Sequence, residues 1–362
     1  EIEEIRETKI TDNVADLMLN KLNKLPESAR EVLRLAACIG ADFDLKTLAK
    51  LREKPPREVF AELEPAIQKG LIVTTSELDE ELLIADYKFG HDRIQQAAHS
   101  LIDEAEKKAI NLKIGRWWLE NVDLETASEK LFETADRFNF AIDLIEDKEE
   151  LNRIVQLNLS AGKKAKAATA YDAAVGYLRT GLNLLPADSW QTDYDLTLNL
   201  HLEAIKAKYL DGQIDRARER SKLGLEAVTN LLDRVKIYEL QIQFYFAENE
   251  LTKAVNLGLS VLEMLDVSLS ESLPDNLDIQ QLENLPEMTE EVPKAALGIL
   301  MRIFGPTYIA NPQLLPKVII TMVDLCIKYG NSSLAAYAYA VCGLLLCVGG
   351  QDIELGYQLG QL

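Results

Sequence analysis

Few side chains in this 362-residue chain could do chemistry. The three histidines are His91, His99 and His201, and the first two fall about two turns apart on one predicted helix, so one metal ion could not easily bind both. His91 and Asp92 are the more unusual pair, because they stand where a predicted strand runs into that helix. A purely structural joint has no obvious need of two such polar side chains, so this turn is the candidate functional site.

No segment matches a motif for catalysis or for binding a nucleotide. The string nearest to a phosphate-binding P-loop has Gly162 and Lys163, but Leu157 stands where the first glycine is needed and Lys164 where Ser or Thr is needed. The string also lies within a helical pattern, whereas the motif requires a loop whose backbone amides curl around the phosphates. We therefore predict a chain that is not an enzyme, with no catalytic residue, no metal and no cofactor of its own.

The composition argues against nucleic acid and membranes as partners. A formal charge of −20 and a pI near 4.7 repel phosphate backbones. The most apolar segment, residues 334–350, is shorter than the roughly 20 residues that span a bilayer, and Gly343 interrupts it. Four cysteines lie in apolar helical runs without CxxC spacing, which indicates reduced thiols in a cytoplasmic protein: Cys38, Cys326, Cys342 and Cys347.

The two ends of the chain suggest a fragment of a larger protein. The chain begins with Glu1 in a charged stretch that does not have the pattern of a signal peptide. It ends inside a helical pattern, with the residues GYQLGQL.

The first hundred residues follow the order of a winged-helix domain. Residues 1–25 are predicted to form a linking helix, with a cap and an apolar face from these residues: Thr11 or Asp12, then Val14, Leu17, Met18 and Leu22. Residues 26–103 are predicted to form the domain itself. Helices at 26–40, at 43–51 with Asp44 as its cap, and at 55–70 precede strands at 71–75 and 83–89, and a helix starts at His91. The hairpin that these two strands form, with its acidic loop at the tip, would be the wing.

The remainder of the chain is predicted to be helical, with a recurring unit. Similar strings, GLNLL, GLEAV and GLSVL, begin at three glycines, and alanines on the same helices would let paired helices approach closely: Gly181, Gly224 and Gly258, with Ala174, Ala217 and Ala254. We predict TPR-like repeats at 104–268, an acidic connection with prolines at 269–294, and further, truncated repeats at 295–362. The predicted fold is mainly α: a winged-helix domain followed by an α-solenoid of TPR-like helical hairpins.

The predicted recognition helix and wing are acidic. The helix carries three glutamates against two basic residues: Glu58, Glu62 and Glu64, with Arg57 and Lys69. The wing tip reads SELDEE. A helix and a wing that meet phosphates should be basic, so we expect no binding to DNA.

Long strings of the chain resemble a family of large bacterial signalling proteins that is typical of cyanobacteria. The strings are residues 9–51, 87–102 and 158–190, and the resemblance extends from about Ile10 to the last residue. In that family a serine/threonine kinase domain precedes a STAND-type AAA ATPase, a helical repeat region, GAF sensor domains and a histidine kinase. The resemblance implies that this chain is the winged helix and repeat array just after the ATPase core. The kinase and nucleotide-binding motifs would lie outside it.

The resemblance also implies a role for the polar turn. In STAND ATPases the winged helix folds back onto the nucleotide site, and in the related plant immune receptors a Met-His-Asp motif at this turn places its histidine near the ADP phosphate. His91 and Asp92 match the last two positions, whereas Gly90 replaces the methionine. A histidine at a helix start can donate a hydrogen bond to phosphate, and Asp92 can satisfy free backbone amides. The alternative is that His91 only caps the helix. Arg93 could also reach the nucleotide, or could be an exposed helix charge.

Three functions follow from these expectations. The preferred one is a non-catalytic regulatory and protein-interaction segment of a STAND-type signalling kinase, which couples the nucleotide state (ATP or ADP held by the ATPase domain) to kinase output. Its partners would be the neighbouring ATPase and kinase domains and an unknown protein or peptide on the repeat surface. The alternatives are a winged-helix and TPR transcription regulator, and a scaffold that only binds a protein.

Overall fold

The computed structural model describes residues 17–76, 86–124, 126–274, 277, 279–349 and 352–362. These residues are mainly helical, which confirms the predicted fold class. The chain divides into two compact units, 1–164 and 165–362, each of which is described by itself. The boundaries predicted at residues 25, 103, 268 and 294 remain predictions. Thr11, Asp12 and Val14, and residues 77–85 of the predicted wing, lie outside the described residues.

The first unit opens with helices and a small sheet in alternation. A helical segment at 17–23 precedes α1 (Glu27–Ile39), β1 (Asp42–Asp44), α2 (Leu45–Arg52), α3 (Pro56–Gln68), β2 (Ile72–Thr74), β3 (Asp86–Phe89) and α4 (Asp92–Ser100). The side chain of Asp44 accepts a hydrogen bond from the Thr47 backbone N–H at 2.7 Å, so the predicted cap is confirmed. The prediction was wrong for Phe43, because this residue lies in β1 rather than in the helix.

The sheet is antiparallel with the strand order β1-β3-β2. Its central strand pairs Tyr87 with Phe43 on one side and with Thr74 on the other. The rings of Phe43 and Tyr87 stack at 5.7 Å between centroids, and both are buried. The element order is the one that the sequence predicted for a winged helix, with β1 as an additional strand.

Three further helices complete the first unit: α5 (Glu104–Asn121), α6 (Ser128–Phe140) and α7 (Lys148–Ala167), whose last residues belong to the second unit. A short 3-10 helix, Ile142–Leu144, lies between α6 and α7. Helix α5 packs on α1, α2 and α6. The buried core of this unit therefore runs from the sheet through α1 to Ile114 and Trp118 of α5.

The second unit consists of helices that pair in sequence order. They are α8 (Tyr171–Leu184), α9 (Ser189–Thr192), α10 (Tyr194–Leu210), α11 (Ile214–Ala227), α12 (Leu231–Ala247), α13 (Leu251–Met264), α14 (Ile279–Glu283), α15 (Glu291–Ala310), α16 (Leu315–Tyr329), α17 (Ala335–Gly349) and α18 (Ile353–Leu359). Helix α10 packs on α11, α12 on α13, α15 on α16, and α17 on α18. These are the antiparallel hairpins that the recurring strings predicted.

Small residues lie where the helices of the second unit approach most closely. Ala174, Ala217 and Ala254 are fully buried. A Cβ added to Gly258 on α13 would overlap the side chain of Ile303 on α15, so only glycine allows this approach. The small residues noticed in the sequence therefore do lie on packing faces.

The acidic connection is fixed to α16 and to the turn that follows it. The Ser270 backbone N–H donates to Thr321 Oγ1 at 2.8 Å, and Leu282 and Met288 are buried. The backbone carbonyl of Asn331 accepts a hydrogen bond from the Met288 N–H at 2.8 Å. The backbone N–H of Asn331 donates to the Pro286 carbonyl, also at 2.8 Å. The described residues of the connection are thus part of the packed unit.

Candidate functional site

The turn before α4 is formed by a close approach of two backbone segments. The Gly90 N–H donates to the Leu71 carbonyl at 2.9 Å. A Cβ at residue 90 would lie 2.7 Å from the Gly70 carbonyl oxygen, a distance that real Cβ atoms essentially never show. Gly70 itself has a φ of +64°, in the left-handed region that favours glycine. The backbone of Gly70 and Leu71, which leads into β2, therefore excludes a methionine at residue 90, where the Met-His-Asp pattern would have one.

His91 is the N-cap of α4. Its backbone is extended, with φ −162° and ψ 143°, and its Nδ1 accepts a hydrogen bond from the Arg93 backbone N–H at 3.1 Å. Because Nδ1 accepts, the neutral imidazole carries its proton on Nε2. The side chain is exposed, so this Nε2–H is available as a donor. Capping and contact with an external acceptor are therefore compatible, because each uses a different ring nitrogen.

Asp92 and Arg93 lie beside His91 in the first turn of α4. Asp92 is exposed, and a carboxylate at this position is favourable because the helix N-terminus carries partial positive charge. The Arg93 guanidinium donates to Gln96 Oε1 on the same helix at 3.0 Å, as expected of an exposed helix charge. The structure thus brings the three predicted site residues together on one turn. Their contact with a nucleotide remains a prediction.

The C-terminus of α1 connects α4 to the helices that follow. Gln95, on α4, donates to the Ala37 carbonyl at 3.3 Å. Arg137, on α6, donates to the next two carbonyls, to that of Cys38 at 2.7 Å and to that of Ile39. Three carbonyls that a helix end leaves without an intrahelical partner are therefore bound by side chains from two other helices. This junction begins one turn after His91.

Arg137 is a half-buried cation at this junction. Burial lowers the pKa of its guanidinium to about 10, which still leaves the group charged at neutral pH. The guanidinium also donates to Asn111 Oδ1 at 2.7 Å and lies 4.4 Å from the centre of the Trp118 ring. The role of Arg137 was not predicted from the sequence, because its carbonyl partners lie almost a hundred residues away and no local pattern indicates them.

The described part of the chain shows no cluster of metal ligands, and three of its four thiols are buried. It contains no group of three or more metal-ligating side chains. Burial raises the pKa of the Cys38, Cys326 and Cys342 thiols to about 11, so these groups are neutral at physiological pH. Among the same residues, no helix is both long enough and apolar enough to cross a membrane.

Comparison with known proteins identifies signalling kinases as relatives. No model of a known protein family matches the chain. It is 26% identical, over 99% of its length, to the hybrid signal transduction histidine kinase G of Dictyostelium discoideum, of which it covers 13%. It is 24% identical, over 76% of its length, to the peroxide stress-activated histidine kinase mak3 of Schizosaccharomyces pombe, of which it covers 12%. The chain thus matches only a small part of each curated relative.

Among solved structures, the chain is similar to a signal transduction ATPase with numerous domains (STAND) from Pyrococcus horikoshii that has a tetratricopeptide repeat sensor. The match covers 96% of this chain and 45% of the other, with 14% sequence identity and a TM-score of 0.40. A likeness at this level does not establish a shared fold. The similarity to two histidine kinases supports a regulatory role in signalling.

Proposed function

We propose that this chain is a non-catalytic regulatory and protein-interaction segment of a larger STAND-type signalling kinase. In this proposal the first unit is a winged helix that responds to the nucleotide held by a neighbouring ATPase domain, and the second unit is a TPR-like array that contacts other domains or a partner. The proposal is supported by the family resemblance of the sequence. It is also supported by the similarity to the Dictyostelium kinase along almost the whole chain.

The observation that carries the proposal is that the two nitrogens of the His91 ring have different roles. Its Nδ1 holds the start of α4, and its exposed Nε2–H can donate to a phosphate oxygen in front of the helix N-terminus. The residues present therefore fit a phosphate group contacted from one side. The chain has no P-loop, so the nucleotide would be held by the ATPase domain, and this turn would only sense it.

One such contact is sufficient to bias a regulatory equilibrium. A hydrogen bond between an imidazole and a charged phosphate is worth about 1.5–3 kcal/mol. A contact made in only one of two states would shift their ratio by roughly ten- to hundredfold. A displacement of α4 would change the C-terminus of α1 through Gln95, and α6 through Arg137, because both side chains bind adjacent carbonyls. We propose this route within the first unit for the nucleotide signal.

The first unit does not favour the transcription-regulator alternative. Glu62 on α3 pairs with Arg52 and Lys54, and Arg52 also pairs with Glu31, so both cations are already engaged with carboxylates. Its neighbours Glu58 and Glu64 are exposed. An acidic α3 would repel a phosphate backbone, so we expect no shift of mixed-sequence DNA at low salt.

The proposal is tested with variants that separate capping from donation. His91→Ala removes both roles, whereas His91→Ser keeps an N-cap acceptor on a side chain too short to reach a phosphate. We expect both variants to raise the basal kinase output of the full-length protein, because the ADP-bound state loses its contact. His99→Gln, at the other end of α4, is the matched control and should leave the output unchanged.

The result for His91→Ser distinguishes nucleotide sensing by His91 from a role as a helix cap alone. If this variant signals like the wild type while His91→Ala does not, the histidine acts only as a cap and the sensing role is wrong. Thermal unfolding of the 362-residue chain should accompany the assay, since loss of the cap in His91→Ala costs about 0.5–2 kcal/mol.

A further inference from the structure

The second unit contains a groove of about 670 Å³ that the proposed sensing role does not use. It is lined by the first helices of three successive hairpins, α10, α12 and α15, together with Lys166 near the end of α7. Helix α12 packs on both α10 and α15, so these three helices form one continuous wall. The groove therefore joins several repeats, as a site for an extended ligand would.

The lining of the groove is basic, although the chain as a whole has a formal charge of −20. Four cations line it, against one carboxylate, Glu239: Lys166, Lys206, Lys236 and Arg302. In a chain with 59 acidic and 39 basic residues, four cations gathered in one groove are an exception. With Glu203 and Asp233, which pair with these lysines from beside the lining, the groove keeps one net positive charge, whereas the chain as a whole is acidic.

The cations are held in place but retain donors. Lys206 donates to Glu203 at 3.0 Å, and Lys166 donates to the second oxygen of the same carboxylate. Burial alone would raise the pKa of Glu203, but the hydrogen bonds from the two lysines lower it below its usual range. An ammonium group has three N–H donors and a guanidinium five. Lys206, which donates to Glu203, and Arg302, which donates to Glu239 at 3.2 Å, can therefore donate to further carboxylates.

An apolar strip lies beside the cations. The rings of Tyr209 and Phe244 stack at 4.1 Å between centroids. Leu210 and Phe246, which also line the groove, are 46% and 43% exposed. A Cβ at Gly305 would lie 3.2 Å from the Phe246 ring, so the glycine leaves room for the ring to lie against α15. The groove thus offers apolar contact and positive charge next to each other.

We propose that this groove binds an acidic peptide segment of a protein partner. Carboxylates of the peptide would meet Lys206, Lys236 and Arg302, and one of its apolar side chains would cover Leu210 and Phe246. These three cations lie on three different helices and pair with three separate carboxylates, Glu203, Asp233 and Glu239, so they are spread along the groove and suit spaced carboxylates better than one compact phosphate. The inference deepens the protein-interaction role of the proposed function by naming the groove and the chemistry of the partner.

The test uses the 362-residue chain and a fluorescein-labelled peptide of twelve residues that combines glutamate with phenylalanine. Its counterpart has glutamine at every glutamate. We expect fluorescence anisotropy to show binding of the acidic peptide, at least tenfold weaker binding of the glutamine peptide, and weakening with added NaCl. Equal binding of both peptides, or of neither, would overturn the proposal.

Paired variants locate the site. Lys206→Glu with Lys236→Glu should weaken binding of the acidic peptide at least tenfold. Lys222→Glu with Lys253→Glu changes the net charge equally, but both of these lysines are exposed on second helices of hairpins, outside the groove lining. We expect this control to bind like the wild type. If both double variants lose binding to the same degree, the attraction belongs to the whole surface and the groove is not the site.

Two further variants and a competition experiment test this interpretation. Lys206→Gln with Lys236→Gln removes the charges without bringing a new carboxylate near Glu203, and its thermal unfolding shows whether the fold is preserved. Phe246→Ala should weaken binding of the peptide, with little change in the salt dependence of that binding. Displacement of the peptide by millimolar inorganic phosphate or ATP would show an anion site and overturn the peptide proposal. The His91 experiment reads kinase output and concerns the first unit, so its result and the result of this test are independent.

Discussion

Two contacts between helices, one in each unit, differ in kind. In the first unit, the end of α1 is bound by directed hydrogen bonds from Gln95 and Arg137. In the second unit, helices α13 and α15 meet where Gly258 leaves space for Ile303. Hydrogen bonds depend on angle and distance, whereas apolar contact is not directional. The comparison teaches that a displacement of α4 can be transmitted in the first unit by a few named contacts, while the second unit is stabilised by the fit of its surfaces.

The largest effect is expected at Arg137, which supplies two of the directed hydrogen bonds in the first unit. Replacing it with alanine removes a half-buried cation and leaves the carbonyls of Cys38 and Ile39 and the amide of Asn111 without their donor. We expect a loss of about 3–5 kcal/mol in the free energy of unfolding, because each unsatisfied buried polar group costs about 1–3 kcal/mol. Chemical denaturation of the 362-residue chain measures the loss. The exposed Arg153 on α7 is the control, since Arg153→Ala should change the stability by less than about 0.5 kcal/mol.

A second prediction concerns His201, a buried titratable group in the second unit. Burial, with Arg220 and Lys208 nearby, lowers its pKa from 6.5 to about 4. The unfolded chain therefore binds a proton between pH 6.5 and 4 that the folded chain does not. Stability should fall across this window, by about 3 kcal/mol at its acid end. Above pH 6.5 the histidine is neutral in both states and contributes no slope.

Trp190 reports on this transition because its ring lies 4.9 Å from that of His201. With Trp117 and Trp118 replaced by phenylalanine, the fluorescence of Trp190 follows the second unit alone. His201→Leu should remove most of the loss between pH 6.5 and 4, whereas His99→Gln in the first unit should leave the Trp190 transition unchanged. An acid slope that persists in His201→Leu would contradict this assignment.

The smallest of the three effects is expected at Gly258. Alanine there would force Ile303 to move, which should cost about 1–3 kcal/mol through overpacking. Gly176 on α8 is the matched control, since a Cβ there would meet nothing within 4 Å. Because alanine is a better helix former than glycine, Gly176→Ala should stabilise the chain by about 0.5–1 kcal/mol. Trimming the partner, as in Gly258→Ala with Ile303→Val, should restore part of the loss; no recovery would mean that the cost arises elsewhere.

Local patterns in the sequence predicted the parts of the fold that depend on local physics. The cap at Asp44 and the helix start at His91 depend on neighbours within one turn, and the small residues of the hairpins stand in strings that recur along the chain. The strand β1 has only three residues, and its pairing with β3 depends on Tyr87, far along the chain, so its sequence alone looked like part of a helix. For the same reason Arg137 and the groove were not predicted. The cations of the groove lie between residues 166 and 302, and only the stacking of the hairpins brings them together.

The attachment of the acidic connection has a practical consequence for limited proteolysis. Its described residues are bound at Thr321 and at Asn331, and the Asn331 side chain is held in turn by the Tyr339 hydroxyl at 2.6 Å and donates to the Leu282 carbonyl at 2.8 Å. A single cut in this connection would leave two fragments that still share a packed interface. The nicked chain should migrate as one species on a sizing column and fall apart only in denaturant.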